Sequence, residues 1–249
     1  MPTPAHKSGV FRVNQEFYDA LWSGMLLIDP ARFTTWPLVK ELAEAAPRRL
    51  EVGPGLRPRL PVPGTHFADI SEPALAKLAS AGGHVETASI TRLPYLNDFF
   101  DLVCALDIIE HVEDDAGALD ELCRVARPGA TLLLSVPLHP GHWTSFDDLV
   151  GHCRRYEPTQ LRGLLADHLL TVMRSARYGM KPESSRLVNW GMLQLRKHPK
   201  RALWIYNHLI MPLGLRCQKP MVFQNDMIDM DDVGEIFIVC RLEKAPGEV

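Results

Sequence analysis

Short apolar runs along the chain alternate with segments in which apolar residues recur every three or four positions. These are the patterns of buried strands and of amphipathic helices. Strands are predicted at Arg49–Val52, His66–Ile70, His84–Ala88, Phe99–Leu106, Thr131–Val136, Thr171–Tyr178 and Glu235–Leu242. Helical spacing appears over Asn14–Trp22, over Pro30–Ala46, over Pro73–Ala81, from Asp114-Asp115 to Val125, and after Glu157-Pro158 with Leu161, Leu164 and Leu165 inward. Punctuation agrees with this reading. Ser71 can cap a helix start, Asp114 and Asp115 suit the positive end of a helix dipole, and Pro47, Gly82-Gly83 and Pro128-Gly129 stop helices. The near-continuous apolar run at Phe99–Leu106 suits a strand covered on both faces of a parallel sheet. Repeated strand–helix alternation predicts an α/β domain with a mostly parallel sheet.

The stretch 179–232, between the last two predicted strands, is long and helical in pattern. A connection of that length carries structure of its own. A chain of 249 residues fits one domain. The division read here is an N-terminal helical segment at 1–46, a core at 47–178, a helical insertion or lid at 179–232, and a final strand at 233–243. Twenty-seven basic and 30 acidic residues give a net charge of -3, which speaks against a bulk nucleic-acid or membrane-surface binder. Five cysteines without a C-x-x-C pair argue against a disulfide framework or a thiolate zinc site, and a cytoplasmic home is expected. No signal peptide is expected from residues 1–10. Leu203–Leu215 is interrupted by Asn207, His208 and Pro212, and is too short to cross a bilayer, which takes about 20 apolar residues.

The candidate chemistry starts where the first strand ends, at Glu51-Val52-Gly53-Pro54-Gly55. Glycines there let a ligand approach the backbone, and the end of the first strand of an open α/β sheet is where nucleotide-like cofactors sit. Asp69 ends the second strand, where an acid can accept hydrogen bonds from both hydroxyls of a ribose. A dinucleotide site would add a third glycine and a helix whose N-terminus meets the pyrophosphate. Here Pro58 stands at that position, and Pro61 and Pro63 forbid an ordinary helix. A cofactor with a ribose and an adenine but no phosphate, S-adenosylmethionine, fits better than a nicotinamide dinucleotide.

The chain resembles the class I S-adenosylmethionine-dependent methyltransferases over residues 48–178 and the last strand. The likeness rests on four ordered blocks: Glu51-x-Gly53-x-Gly55; the strand ending in Asp69; Leu93-Pro94-Tyr95, Phe100-Asp101-Leu102-Val103 and Glu110-His111-Val112; and Leu119-x-Glu121-Leu122-x-Arg124-Val125-x-Arg127-Pro128-Gly129, followed by an apolar strand and Pro137. It implies a Rossmann-like, seven-stranded, mostly parallel sheet with helices on both faces and an antiparallel last strand. It implies that Glu51, Gly53 and Gly55 surround the amino-acid end of S-adenosylmethionine. Asp69 would take the ribose and Ile70 would pack on the adenine. Ser89 and Ile90 would lie at the adenine edge, and Leu106 and Asp107 would close over the cofactor. Ser89, where relatives often have aspartate, and the proline-broken segment after Gly55 depart from the family pattern.

The block Asp147–Tyr156 resembles a GHxRRY segment of some bacterial members. Arg154 and Arg155 either pair with Asp147 and Asp148 to pin the loop or clamp an anionic substrate, because guanidinium groups bind carboxylate or phosphate bidentately. His142 and Tyr156 join them as candidate substrate contacts. The spacing of His111, His139, His142 and His152 matches no metal motif, so no metal is expected, and His111 or His152 is the candidate general base. The expected reaction is methyl transfer to an oxygen, before nitrogen or carbon, of a small-molecule, lipid- or glycan-like acceptor. The alternative is a cofactor-binding regulatory module on the same fold. No nucleic-acid partner is expected. The basic run at 196–201 beside Leu203–Leu215, with Trp190, Met192, Trp204, Tyr206, Met211 and Met221, admits a lid, a peripheral membrane contact or a homodimer surface.

Overall fold

The computed structural model describes Asp19, Trp22, residues 25–179 and residues 198–243. Most of the helix expected at Asn14–Trp22 lies outside these, as do Trp190, Met192, Arg196 and Lys197. The described strands are β1 (Arg49–Val52), β2 (His66–Asp69), β3 (His84–Thr87), β4 (Phe100–Leu106), β5 (Ala126–Pro137), β6 (Leu170–Arg177), β7 (Gln224–Asn225) and β8 (Glu235–Leu242). The described helices are α1 (Trp36–Glu44), α2 (Glu72–Ser80), α3 (Asp115–Val125), α4 (Ser145–Val150), α5 (Pro158–Asp167), α6 (Pro199–Ile205) and α7 (Met211–Arg216). All eight strands form one sheet in the order β3-β2-β1-β4-β5-β8-β6-β7. β3, β2, β1, β4 and β5 are parallel, and β8 runs antiparallel between β5 and β6. The expected Rossmann-like α/β fold with an antiparallel last strand is therefore present.

Both faces are covered because apolar residues alternate sides along buried strands. Val103, Leu132, Leu134, Ile236 and Ile238 pack on one face against Ala118, Leu119, Leu122 and Val125 of α3 and Leu161 and Leu165 of α5. Leu102, Cys104, Leu133, Phe237 and Val239 pack on the other against Leu38, Val39 and Ala43 of α1. The proline-rich stretch after Gly55 forms no helix, as its composition requires.

Four details differ from the sequence expectation. The described residues hold eight strands rather than seven, because Gln224 and Asn225 pair with Ser175 and Arg174 at the β6 edge. β5 starts at Ala126, and its register jumps from Phe100↔Ala126 to Leu102↔Thr131, so Pro128-Gly129 bulges out of the strand instead of preceding it. The helix expected from Pro30 is only a single 3-10 turn at Pro30–Arg32, followed by α1 from Trp36. The unexpected α4 rests on a capping box between Thr144 and Asp147 and on Gly151 at φ +74° as its left-handed stop.

Candidate functional site

The chain reverses its direction of travel across the sheet between β1 and β4, and that is where ligands bind in open α/β sheets. The loop leaving β1 there has two left-handed glycines, Gly53 at φ +67° and Gly55 at φ +53°. A Cβ on Gly53 would run into Ile108 Cδ1, and one on Gly55 into the Trp22 ring. Only glycine lets Ile108 and Trp22 approach the backbone of this loop so closely. Asp69 closes it: one carboxylate oxygen accepts from Gly55 N at 2.9 Å and the other from Ser71 N at 2.8 Å. Burial pushes the Asp69 carboxyl up, against the hydrogen bonds from Ser71 and Gly55 that lower it.

Glu51 has a different task from the amino-acid contact expected of it. Its carboxylate accepts from Arg59 N at 2.9 and 3.0 Å and from Leu60 N at 2.9 Å, tying the proline-rich segment under the sheet edge. Burial pushes its carboxyl up to about 7. A carboxyl raised on folding contributes stability that is full below about 4.5 and is lost as the pH rises through about 7. Urea denaturation of wild type and Glu51→Gln across pH 4–8 should show a loss of about 3 kcal/mol in wild type relative to the variant. Parallel pH profiles would remove this account of Glu51.

Asp107 follows β4 in a left-handed conformation, at φ +52°, a strained state for a non-glycine residue. Ser135 of β5 holds it there. Ser135 Oγ donates to Asp107 Oδ1 at 2.6 Å and accepts from Asp107 N at 2.9 Å. Facing it is a group the sequence did not reveal. Arg59 donates to Tyr178 Oη at 2.9 Å, lies 3.6 Å from the Phe33 ring centroid, and senses the charges of Glu51 and Asp107. Ser135 breaks an apolar strand and so left a trace in the sequence, but nothing marked Arg59 among its prolines. An acid, a guanidinium and a backbone loop at one edge match a zwitterionic amino-acid end, and Asp69 beside them matches a ribose, so the residues present fit S-adenosylmethionine.

The N-terminal segment and the insertion meet over this loop. Met211 and Leu215 of α7 pack with Trp22, Met25, Ile28, Phe33 and Leu56. Arg57 donates to Tyr206 Oη at 2.9 Å and lies over the Trp22 ring. Gln218 Nε2 donates to Arg32 O at 3.0 Å. Of the other expected cofactor contacts, Ile70 and Leu106 are half-buried near the strand ends. Ile90 is core, and the half-buried Ser89 hydroxyl hydrogen-bonds Thr91.

The segment after β5 brings the candidate catalytic and substrate residues together unevenly. Arg155, with its side chain 4% exposed, forms a fork with Asp147: Nε to Oδ1 and Nη2 to Oδ2, both at 3.0 Å, and Nη1 also reaches Leu138 O. Arg154 pairs with Asp115 and donates to Glu113 O, and the buried Tyr156 donates to Asp115 Oδ2 at 3.0 Å. Asp148 accepts from Trp143 Nε1 rather than from an arginine. Arg155 and Tyr156 thus fasten this loop to α3 and α4 rather than presenting a clamp to a ligand. His142 is exposed, 5.1 Å from the His139 ring.

His111 and His152 do meet, edge to face, with ring centroids 4.6 Å apart. His111 lies in the turn Ile109–His111 after β4, and His152 follows α4. Burial, reinforced by His152, lowers His111 to about 3, so it stays neutral near pH 7. His152 Nδ1 hydrogen-bonds Asp147 Oδ1 at 2.9 Å, and its Nε2 lies 3.8 Å from Glu110 Oε1. Asp147 is held well below the usual carboxylate range. Burial would raise it, but hydrogen bonds from His152, Thr144 and Arg155 outweigh that.

Comparison with known proteins finds methyltransferases. Residues 64–134 match a family model described as a methyltransferase domain. A tRNA (carboxymethyluridine(34)-5-O)-methyltransferase of Arabidopsis thaliana is 31% identical over 114 residues, which is 42% of this chain and 28% of that protein. The chain thus spans little more than a quarter of that relative. Among solved structures, an S-adenosylmethionine-dependent methyltransferase of Thermotoga maritima superposes with a TM-score of 0.53 at 14% identity, covering 84% of this chain and 93% of the other. The cyclase SpnF gives a TM-score of 0.54 at 18% identity, covering 84% and 81%. At these identities the structural likeness speaks for the fold.

Proposed function

We propose that the chain, whose residues 64–134 match a methyltransferase domain, is a class I S-adenosylmethionine-dependent methyltransferase that methylates an oxygen of a small-molecule, lipid- or glycan-like acceptor. The observation that supports this most is the paired left-handed loop Gly53-x-Gly55, closed by Asp69 at the switch between β1 and β4. S-adenosylmethionine would supply an activated sulfonium methyl, so the protein's work is chiefly positioning and exclusion of water. Gly53 and Gly55 would give backbone approach, and Asp69 would accept the ribose hydroxyls. Arg59 and Asp107 would take the charged amino-acid end, and Ile70, Ser89 and Ile90 would border the adenine. The N-terminal segment and the insertion, joined through Trp22, Phe33 and α7, would act as a lid over that end.

An oxygen acceptor has to lose a proton around transfer. The Glu110–His111–His152 group beside the end of β4 is assigned to that step. His111, neutral near pH 7 and lowered to about 3, is a poor base by itself. The Arabidopsis relative is named for methyl transfer to oxygen, which favours oxygen here, and for a tRNA, which favours a second reading with a nucleic-acid acceptor. The net charge of -3 weighs against the latter. Five unpaired cysteines suit a reducing, cytoplasmic setting.

Labelled methyl from S-adenosylmethionine, followed into small-molecule, lipid and tRNA fractions of an extract, distinguishes these readings. Label in the small-molecule or lipid fraction is expected, and label confined to tRNA would replace the acceptor proposed here. Cofactor binding without transfer to any fraction would favour the regulatory module, a use the fold permits.

A further inference from the structure

Among the described residues, Glu110, His111 and His152 form a group of ligating side chains outside the cofactor edge. Their donor atoms all lie within 4.8 Å of one another. They come from two segments, the turn after β4 and the loop after α4, joined by Cys153 N donating to Glu110 O at 2.7 Å. Glu110 is buried, with its side chain 1% exposed, while His111 and His152 are half-buried.

We propose that Glu110, His111 and His152 bind one divalent first-row transition cation, which takes an oxygen of the methyl acceptor as a further ligand. The arrangement around the three donors supports this more than their proximity does. Metal-bound histidines characteristically pass their second ring N–H to a carboxylate or a backbone carbonyl, which fixes the tautomer and the ring plane. His152 has that outer shell. Asp147 Oδ1 takes its Nδ1–H at 2.9 Å, which leaves the Nε2 lone pair facing Glu110 Oε1 at 3.8 Å. That separation is too long for a hydrogen bond and right for two ligands of one ion. Asp147 is itself immobilised by Arg155 and by the Thr144 capping box, so it cannot swing in as a ligand. His111 has the backbone of Val150 and Gly151 as its partners.

Tetrahedral donors bound at about 2.0–2.2 Å lie about 3.3–3.6 Å apart, so the widest pair closes by at most about 1.5 Å on binding, a movement of side-chain torsions. Two imidazoles and one carboxylate suit zinc, iron or manganese and leave coordination positions open. An oxygen ligand in an open position becomes more acidic. The acceptor class is then a hydroxyl or carboxylate oxygen able to ligate the ion. This part rests on the methyltransferase reading; the ion site does not. The sequence expectation of no metal followed from spacing alone, which could not show that two distant histidines meet across two loops.

The test uses the untagged full chain, stripped with a chelator and titrated with zinc or manganese chloride by calorimetry. One equivalent per chain is expected, with affinity at least about tenfold weaker in Glu110→Gln and in His152→Asn. Thermal unfolding read alongside should rise on adding the ion in wild type and not in Glu110→Gln, a response that a purely structural glutamate would not give. No stoichiometric binding to wild type, or unchanged affinity in both variants, or binding of magnesium in preference to zinc and manganese, overturns the proposal. S-adenosylhomocysteine titrated into the same metal-free protein reads the cofactor site separately, so the two readings fail independently.

Discussion

Replacing Asp147 by alanine is expected to cost about 3–5 kcal/mol of stability, because it leaves the buried Arg155 guanidinium without its carboxylate. Asp147 is fully buried and serves four partners at once: Arg155 through a two-bond fork, His152, and the Thr144 amide and hydroxyl. Removing it strands a charge, opens the capping box of α4 and releases the His152 ring. No apolar rearrangement of α4 can compensate, since the helix has six residues and buries only Asp147 and Val150. Urea denaturation measures the loss. The double variant Asp147→Ala/Arg155→Met should recover part of it, because the unpaired charge is then gone. A single-variant loss below about 1 kcal/mol would mean that the fork contributes little, as exposed pairs do.

Asp69→Asn is expected to weaken S-adenosylhomocysteine binding by about 10²–10⁴-fold, on the scale of two charge-assisted hydrogen bonds. The carboxylate has about four acceptor sites. Backbone groups of Gly55, Ser71 and Ile70 already donate to it, and the remaining capacity is available to the ribose. Asparagine keeps the shape but turns one oxygen into a donor, which opposes either a backbone N–H or a hydroxyl. The glycine loop and the ribose contact are thus lost together. Circular dichroism should report a folded variant, since Ala68 still accepts from Gly53 N at 2.8 Å and the β1–β2 register does not use the Asp69 side chain. Unchanged affinity would remove Asp69 from the cofactor site.

These two residues also show how far the sequence could be read. Asp69 was legible because its place is local: the end of an apolar strand, just before a helix start. β4 and β8 were legible for the same reason, since a strand buried on both faces must be apolar throughout. Asp147 was visible only as one of two acids near two arginines. Its true partners, Arg155 and His152, and the pairing of Arg154 with Asp115 instead, depend on how the loop after α4 folds back onto α3. α4 escaped notice because six residues, three polar and three apolar, are too few to give a periodicity, and its stability resides in its caps. Arg59 escaped because its meeting with Tyr178 joins positions 119 residues apart. Local pattern therefore located the strand ends where a cofactor would lie, while the side-chain pairs that fill the edge were set by long-range closure.

The edge formed by Gly53, Gly55, Asp69, Arg59 and Asp107 is the proposed S-adenosylmethionine site. Calorimetric titration of the wild-type chain with S-adenosylhomocysteine tests it most directly. One equivalent bound per chain is expected, displaced by S-adenosylmethionine and not by NADH. No detectable heat with either sulfur compound, or displacement by NADH, would contradict it.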